Sequence, residues 1–259
     1  MAKLQLNWVK EGNGPTIVLC HALGCTLAIW DEVAALLKAD YTVLRYDHRG
    51  HGNSSVPSGP YSVAMLADDA ADLIAAEASG PVHFVGLSLG GMVAQSLAAN
   101  HPASVSSIVI ANSASWYDNA ARAMWQTRIA TVREKGVEGI ADDALPRWFT
   151  PAFRADAAGS QRVAQMRADL VKTSAAAYIA SCEVIAAMDL RDDNERIACP
   201  TLVIAGTFDE ATPLALSEKI ADAIDGAQLE TIAAAHLSAV EQPEAFAALL
   251  REFIGEQQD

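Results

Sequence analysis

Apolar residues fall in short runs, separated by longer stretches of helical periodicity, along most of this 259-residue chain. Segments 16–20, 41–46, 82–86, 105–111, 201–205 and 228–232 are each rich in Val, Ile, Leu or aromatic side chains over the length of a strand. Between them lie amphipathic stretches such as 62–78, with Met65, Leu66, Asp69, Leu73 and Ile74 at helical spacing. Strands alternating with helices predict a mainly parallel sheet covered on both faces. The run 4–9 alternates apolar and polar residues, and Glu11-Gly12-Asn13-Gly14-Pro15 follows it, which predicts an antiparallel edge hairpin.

One interval breaks this rhythm. Residues 116–189 contain no strand pattern, whereas an ordinary crossover needs a single helix. Segments 117–134, 137–145, 161–171 and 174–187 read as helices, the last with Tyr178, Cys182 and Ile185 at i, i+4 and i+7. The expected organisation is a core made of 1–115 and 190–259, with 116–189 as an all-helical cap over the C-terminal edge of the sheet.

Composition narrows the class. Half of the residues are hydrophobic (51%), enough for a large core, and no apolar run is long enough for a membrane span. The first residues read as a strand, not as a secretory leader, so a soluble cytoplasmic protein is expected. Eighteen basic against 32 acidic residues give a net charge of −14, which disfavours binding to nucleic acid. Cys20, Cys25, Cys182 and Cys199 lack metal or redox spacing and read as reduced thiols. Nothing in the chain requires or excludes a homo-oligomer.

The chemistry concentrates at Gly86-Leu87-Ser88-Leu89-Gly90. A G-x-S-x-G pattern arises easily by chance, but here a buried-strand run, 81–85, leads in and a helical run, 91–99, leads out. A strand-to-helix turn this tight needs small flanking residues and lifts the serine hydroxyl clear of the sheet. It also sets Ser88 at a helix N-terminus, where free N–H groups favour developing negative charge. The arrangement resembles the nucleophile turn of the α/β-hydrolase fold, whose triad runs in the order Ser, acid, His.

Among six histidines only His236 lies near the C-terminus, between the last strand run and a helix, so it is the expected base. Asp209, on the loop after 201–205, is the expected acid; Glu210 is its neighbour and competitor. Some relatives of this fold place the acid after the sixth strand, but that position here reads Ala111-Asn112-Ser113. Two N–H donors are needed for an oxyanion, and the expected pair is Leu89 with Leu23, in the loop His21-Ala22-Leu23-Gly24. His48 and His51, in Asp47-His48-Arg49-Gly50-His51-Gly52, read as a hydrogen-bonded turn; no metal is expected. No nucleotide-binding glycine loop occurs, so no cofactor is expected.

Several segments resemble the 3-oxoadipate enol-lactonases of bacterial aromatic degradation. They are 44–52, Gly59-Pro60-Tyr61-Ser62, 86–91, Arg147-Trp148-Phe149-Thr150-Pro151-Ala152-Phe153 and 235–243. The resemblance implies a mostly parallel eight-stranded sheet flanked by helices, with the cap following its sixth strand. It implies a small-molecule lactone or ester substrate, opened through an acyl-enzyme by Ser88, Asp209 and His236. Substrates of that family carry a free carboxylate, so a protein of net charge −14 needs a local cation, for which the cap offers Arg128, Arg133 and Arg147. Trp125 and Trp148 would wall the pocket. The loop at 21–24 departs from the Asn-Ser-Leu-Gly-like stretch of these lactonases. Its histidine form is commoner in esterases and haloperoxidase-like relatives, so a carboxylesterase, a perhydrolase or a C–C bond hydrolase with the same triad is the alternative, and a non-catalytic receptor the bland one.

Overall fold

The structure is a computed structural model that describes residues 4–257. Its strands are β1 (Trp8–Gly12), β2 (Thr16–Cys20), β3 (Thr42–Tyr46), β4 (Val82–Leu87), β5 (Val105–Ala111), β6 (Thr201–Gly206) and β7 (Gln228–Ile232). They form one sheet in the order β1-β3-β2-β4-β5-β6-β7, parallel except for β1. The sheet thus has seven strands among the described residues, not eight.

The N-terminal edge explains the difference. Residues 4–7 hold no regular strand and instead bond irregularly to the turn after β3. The Asp47 N–H donates to the Asn7 carbonyl at 2.9 Å, and the Ser55 N–H to the Gln5 carbonyl at 2.9 Å. β1 is an antiparallel edge, as expected, but it is not a hairpin partner of β2. Both edges of β2 are taken by β3 and β4, so β1 pairs with β3, in the register Trp8↔Tyr46 to Gly12↔Thr42. The central strands β4 and β6 are buried along their whole length, while β1 and β7 are largely exposed, as a sheet covered on both faces requires.

Helices α1 (Asp31–Leu37), α2 (Val63–Glu77) and α3 (Leu89–Asn100) connect the first strands. Between β5 and β6 come α4 (Asn119–Lys135), α5 (Glu138–Trp148), α6 (Pro151–Ala155), α7 (Ala157–Lys172), α8 (Ala175–Ala187) and the short α9 (Arg191–Asn194). The last part of the chain adds α10 (Leu214–Ala223), α11 (Ser238–Glu241) and α12 (Pro243–Glu256). Caps fix several starts: Ser62 Oγ accepts from the Met65 N–H, and Asp118 Oδ1 from the Ala121 N–H at 2.8 Å. Among the described residues, no single helix is long and apolar enough to cross a membrane.

The helices α4 to α8 enter and leave through one point. Trp116 and Asp189 form an antiparallel bridge, and the Leu190 N–H donates to the Ser115 carbonyl at 2.8 Å. The same helices dock on the sheet's C-terminal loops. The Leu237 N–H donates to the Trp148 carbonyl at 3.1 Å. The buried Glu241 carboxylate accepts from Thr150 and, at 3.0 Å, from the Ala235 N–H, tying this helical layer to the loop that carries His236.

Candidate active site

Ser88 occupies the turn between β4 and α3 with φ 58 and ψ −112, a backbone conformation that L-residues rarely adopt. Its neighbours make the turn feasible. A Cβ on Gly86 would meet the Gly90 carbonyl, and a Cβ on Gly90 would meet the carbonyl of Cys20, so both positions need glycine. The strained residue is held from both sides: its N–H donates to the Ala111 carbonyl at 2.8 Å, and its carbonyl accepts from Ser113 Oγ at 2.8 Å.

The loops after β6 and β7 bring Asp209 and His236 to this turn. His236 Nε2 lies 2.9 Å from Ser88 Oγ, and Nδ1 lies 2.9 Å from Asp209 Oδ2. Because a carboxylate only accepts, Nδ1 carries the proton and Nε2 is free to accept from the serine hydroxyl. All three residues are buried, Ser88 to 8% exposure and His236 to 5%. Burial pushes the Asp209 carboxyl up, but the charge and hydrogen bond of His236, with the N–H and hydroxyl of Thr212, outweigh it and hold the group down at about 2. Glu210, its competitor in the sequence, is exposed and offers its backbone carbonyl to Arg147.

The acid has more donors than the sequence disclosed. Oδ1 accepts from the N–H groups of Ala211 (2.8 Å) and Thr212 (2.9 Å). Oδ2 accepts from Thr212 Oγ1 (2.7 Å) and Asn112 Nδ2 (3.0 Å) besides His236. Asn112 sits just past β5 with φ 47; its side chain also donates to the Ala235 carbonyl at 3.3 Å and accepts from Ser238 Oγ at 2.5 Å. It clamps the acid to the histidine loop from the very position where a carboxylate was sought and not found. An Asn directly after a strand run, a residue type that tolerates the left-handed backbone, was its one faint signal.

The loop 21–24 is held by three buried histidines. His48 donates its backbone N–H to His21 Nε2 at 3.0 Å, which sets the His21 proton on Nδ1, facing the Ala22 carbonyl at 2.8 Å. His51 Nε2 accepts the Gly24 N–H at 3.1 Å. His48 Nε2 donates to the His21 carbonyl at 3.0 Å. The pattern His48-x-x-His51 is thus engaged by backbone. Leu23 borders the cavity beside Ser88, and Leu89 is the first residue of α3, whose N–H has no acceptor within the helix.

These histidines are locked in the neutral form. Burial, reinforced by His51, drives His21 from 6.5 down to about 3, and burial lowers His48 and His51 as well. The unfolded chain therefore binds more protons than the folded one between about pH 3 and 6.5, and stability falls as pH drops through that window. Each such histidine contributes a slope of up to about 1.4 kcal/mol per pH unit. The urea unfolding midpoint is accordingly expected to drop steadily from pH 7 to pH 5. A midpoint constant over that range would contradict the neutral cluster.

Above Ser88 and His236 opens a cavity of about 990 Å³, roofed by α4, α5 and α8. Of the residues sought in the cap, Trp125, Arg128, Arg147 and Trp148 border it. Arg133 does not: it lies five residues beyond Arg128, about 140° around the helix, and pairs with Glu183 on the exposed side at 3.2 Å.

A strained serine at a strand-to-helix turn, hydrogen-bonded to a histidine and through it to an aspartate under a helical roof, defines a class. The chain belongs to the alpha/beta hydrolase fold family, whose model matches residues 15–243. Within it, the chain is similar to 3-oxoadipate enol-lactonase 2 of Acinetobacter baylyi, 37% identical over 93% of this chain and 90% of that protein. It is 33% identical to 3-oxoadipate enol-lactonase 1 of the same organism, over 93% of this chain and 89% of the other. The crystal structure of the enol-lactonase from Burkholderia xenovorans LB400 matches with a TM-score of 0.92 at 34% identity, covering 97% of each chain. Fold and relatives together make this protein a hydrolase of the ester- and lactone-cleaving kind.

Proposed function

We propose that the protein opens 3-oxoadipate enol-lactone to 3-oxoadipate, with Ser88 as nucleophile, His236 as base and Asp209 as orienting acid. The observation that carries the reading is the chain of two 2.9 Å hydrogen bonds, Ser88–His236–Asp209, whose first two members border the cavity. Ser88 Oγ attacks the lactone carbonyl as its proton passes to His236 Nε2. The N–H groups of Leu23 and Leu89 receive the oxyanion. Collapse breaks the ring C–O bond; His236 returns the proton to the departing enol, which becomes the ketone, and the acyl group stays on Ser88. A water deprotonated by His236 then attacks the acyl-enzyme, and the diacid leaves.

In this reading 1–115 and 190–259 do the chemistry and the cap, 116–189, selects what enters. The reaction takes place in the cytoplasm, where free thiols such as Cys20 and Cys25 stay reduced. A second reading rests on the size of the cavity: about 990 Å³ is far more than a five-membered lactone with a two-carbon acid arm fills, which favours a carboxylesterase for bulkier substrates.

Steady-state hydrolysis of 3-oxoadipate enol-lactone beside simple aryl esters separates the two. The lactonase reading expects the enol-lactone to be preferred by at least about a hundredfold in kcat/KM, a difference of roughly 2.7 kcal/mol in transition-state binding. Ester cleavage dependent on Ser88, without turnover of the enol-lactone, would leave the esterase.

A further inference from the structure

Two buried imidazoles attend a single turn of the chain. The Cys25 N–H donates to the Ala22 carbonyl at 3.1 Å and closes a β-turn over 22–25, in which Gly24 has φ 72 and Leu23 an ordinary negative φ. A positive φ at the third position alone is the signature of a type II turn, whose middle peptide can compete with a flipped orientation. Something must therefore hold each peptide plane.

His21 and His51 hold the two planes on either side of the Leu23 Cα. The His21 Nδ1–H donates to the Ala22 carbonyl at 2.8 Å, and that carbonyl belongs to the same trans peptide as the Leu23 N–H. In a trans peptide these two bonds point in opposite directions, so a carbonyl pinned toward His21 aims the Leu23 N–H away from it. The next plane is pinned by its other bond, the Gly24 N–H donating to His51 Nε2 at 3.1 Å. His51 accepts there because its proton sits on Nδ1, which faces the Arg49 carbonyl at 3.3 Å. Both rings are fully buried, and phenylalanine would fill either place without desolvating an imidazole. Apolar packing would keep the turn's shape, but it would not fix the direction of each plane.

The group between the two pinned planes is the one left open. Leu23 is buried and borders the cavity beside Ser88, yet its N–H donates to no acceptor among the described residues. A buried N–H without a partner is costly, and holding the planes on both sides keeps the turn from relaxing to satisfy it. A donor fixed in this way loses nothing to reorientation when charge develops in front of it.

We infer that His21 and His51 are positioning residues for the oxyanion, aiming the Leu23 N–H at the substrate carbonyl oxygen as it takes on charge over Ser88. Neither ring borders the cavity, so both act through the turn. The inference deepens the function proposed above and rests on Ser88 as nucleophile and Leu23 as donor.

The test uses 4-nitrophenyl butyrate and an aryl trifluoromethyl ketone. Ser88 Oγ adds to the ketone carbon, its proton passes to His236, and the carbonyl π pair becomes an oxyanion, so the inhibition constant reads the oxyanion hole without turnover. His21→Phe and His51→Phe keep a ring in place and remove the hydrogen bond. Each is expected to lower kcat by about tenfold to a hundredfold, less than the loss of a whole donor, with KM unchanged within about threefold. The inhibition constant of the ketone should rise by the factor by which kcat/KM falls. His51→Gln returns an acceptor and His21→Asn a donor, and each should recover most of both losses. A kcat within about twofold of wild type in both phenylalanine variants, a fall in kcat with ketone affinity unchanged, or amide variants no better than phenylalanine overturns the inference. Should a phenylalanine variant not fold, the wild type decides by 1H–15N spectroscopy: the Leu23 amide proton should move downfield in the ketone adduct, with His51 Nε2 unprotonated. A Leu23 proton that does not move, or a proton on His51 Nε2, overturns it equally. Ester cleavage that survives Ser88→Ala would overturn the nucleophile as well, whereas serine-dependent cleavage indifferent to His21 and His51 overturns this inference alone.

Discussion

Ser88→Ala is expected to lower kcat by about 10⁴-fold or more while the protein stays folded. The size of the effect follows from what remains. The oxyanion donors and the cavity still bind substrate, but His236 then activates only water, and no acyl-enzyme forms. Stability should change little. The Ser88 backbone is held by Ala111 and Ser113 through its N–H and carbonyl, neither of which alanine removes. The backbone strain at φ 58 is also common to both residues. The measurement is steady-state turnover of an aryl ester beside a urea unfolding curve. Activity above about a hundredth of wild type would remove Ser88 from the nucleophile's role.

Asp209→Asn should cost nearly as much in rate, about 10⁴-fold, and unlike the serine variant it should also cost stability. Five donors converge on this carboxylate: two backbone N–H groups, the Thr212 hydroxyl, the Asn112 amide and His236. An asparagine side chain has one acceptor oxygen and two N–H donors, so at least one donor must face another donor. If the amide nitrogen takes the Oδ2 place, it meets Nδ1 of His236 and favours the wrong tautomer, with the proton on Nε2 pointing at Ser88. Leaving one or two buried donors unpaired costs on the order of 2–4 kcal/mol. A variant that loses activity without any fall in its unfolding midpoint would mean that this network is looser than the distances imply. One that keeps a tenth of the wild-type rate would move the orienting role to another residue.

Much of this architecture is legible in the chain because each feature rests on local causes. The strand runs 16–20 and 105–111 read correctly to the residue, since β-branched and aliphatic runs of strand length follow breakers at Pro15 and Pro102. The turn at Ser88 reads correctly because glycine at 86 and 90 answers a steric demand that leaves a trace in sequence. What failed to show was tertiary. The partner of β1 depends on which edges of β2 are already occupied, and no local pattern contains that. Asn112 acts on Asp209 across 97 positions, and His51 on Gly24 across 27, through single hydrogen bonds that leave no periodicity. Arg133 looked equivalent to Arg128 when counted along the chain, and only the rotation of α4 tells them apart.

The bridge between Trp116 and Asp189 has a consequence for how such a protein can change. A segment that departs and returns between adjacent residues behaves genetically as a cassette. It can be lengthened, shuffled or exchanged in one event without displacing β5 or β6, and so without moving Ser88 or Asp209. Because Trp125, Arg128 and Arg147 border the cavity from inside that segment, its walls can be rebuilt while the groups at Ser88 and His236 stay where they are.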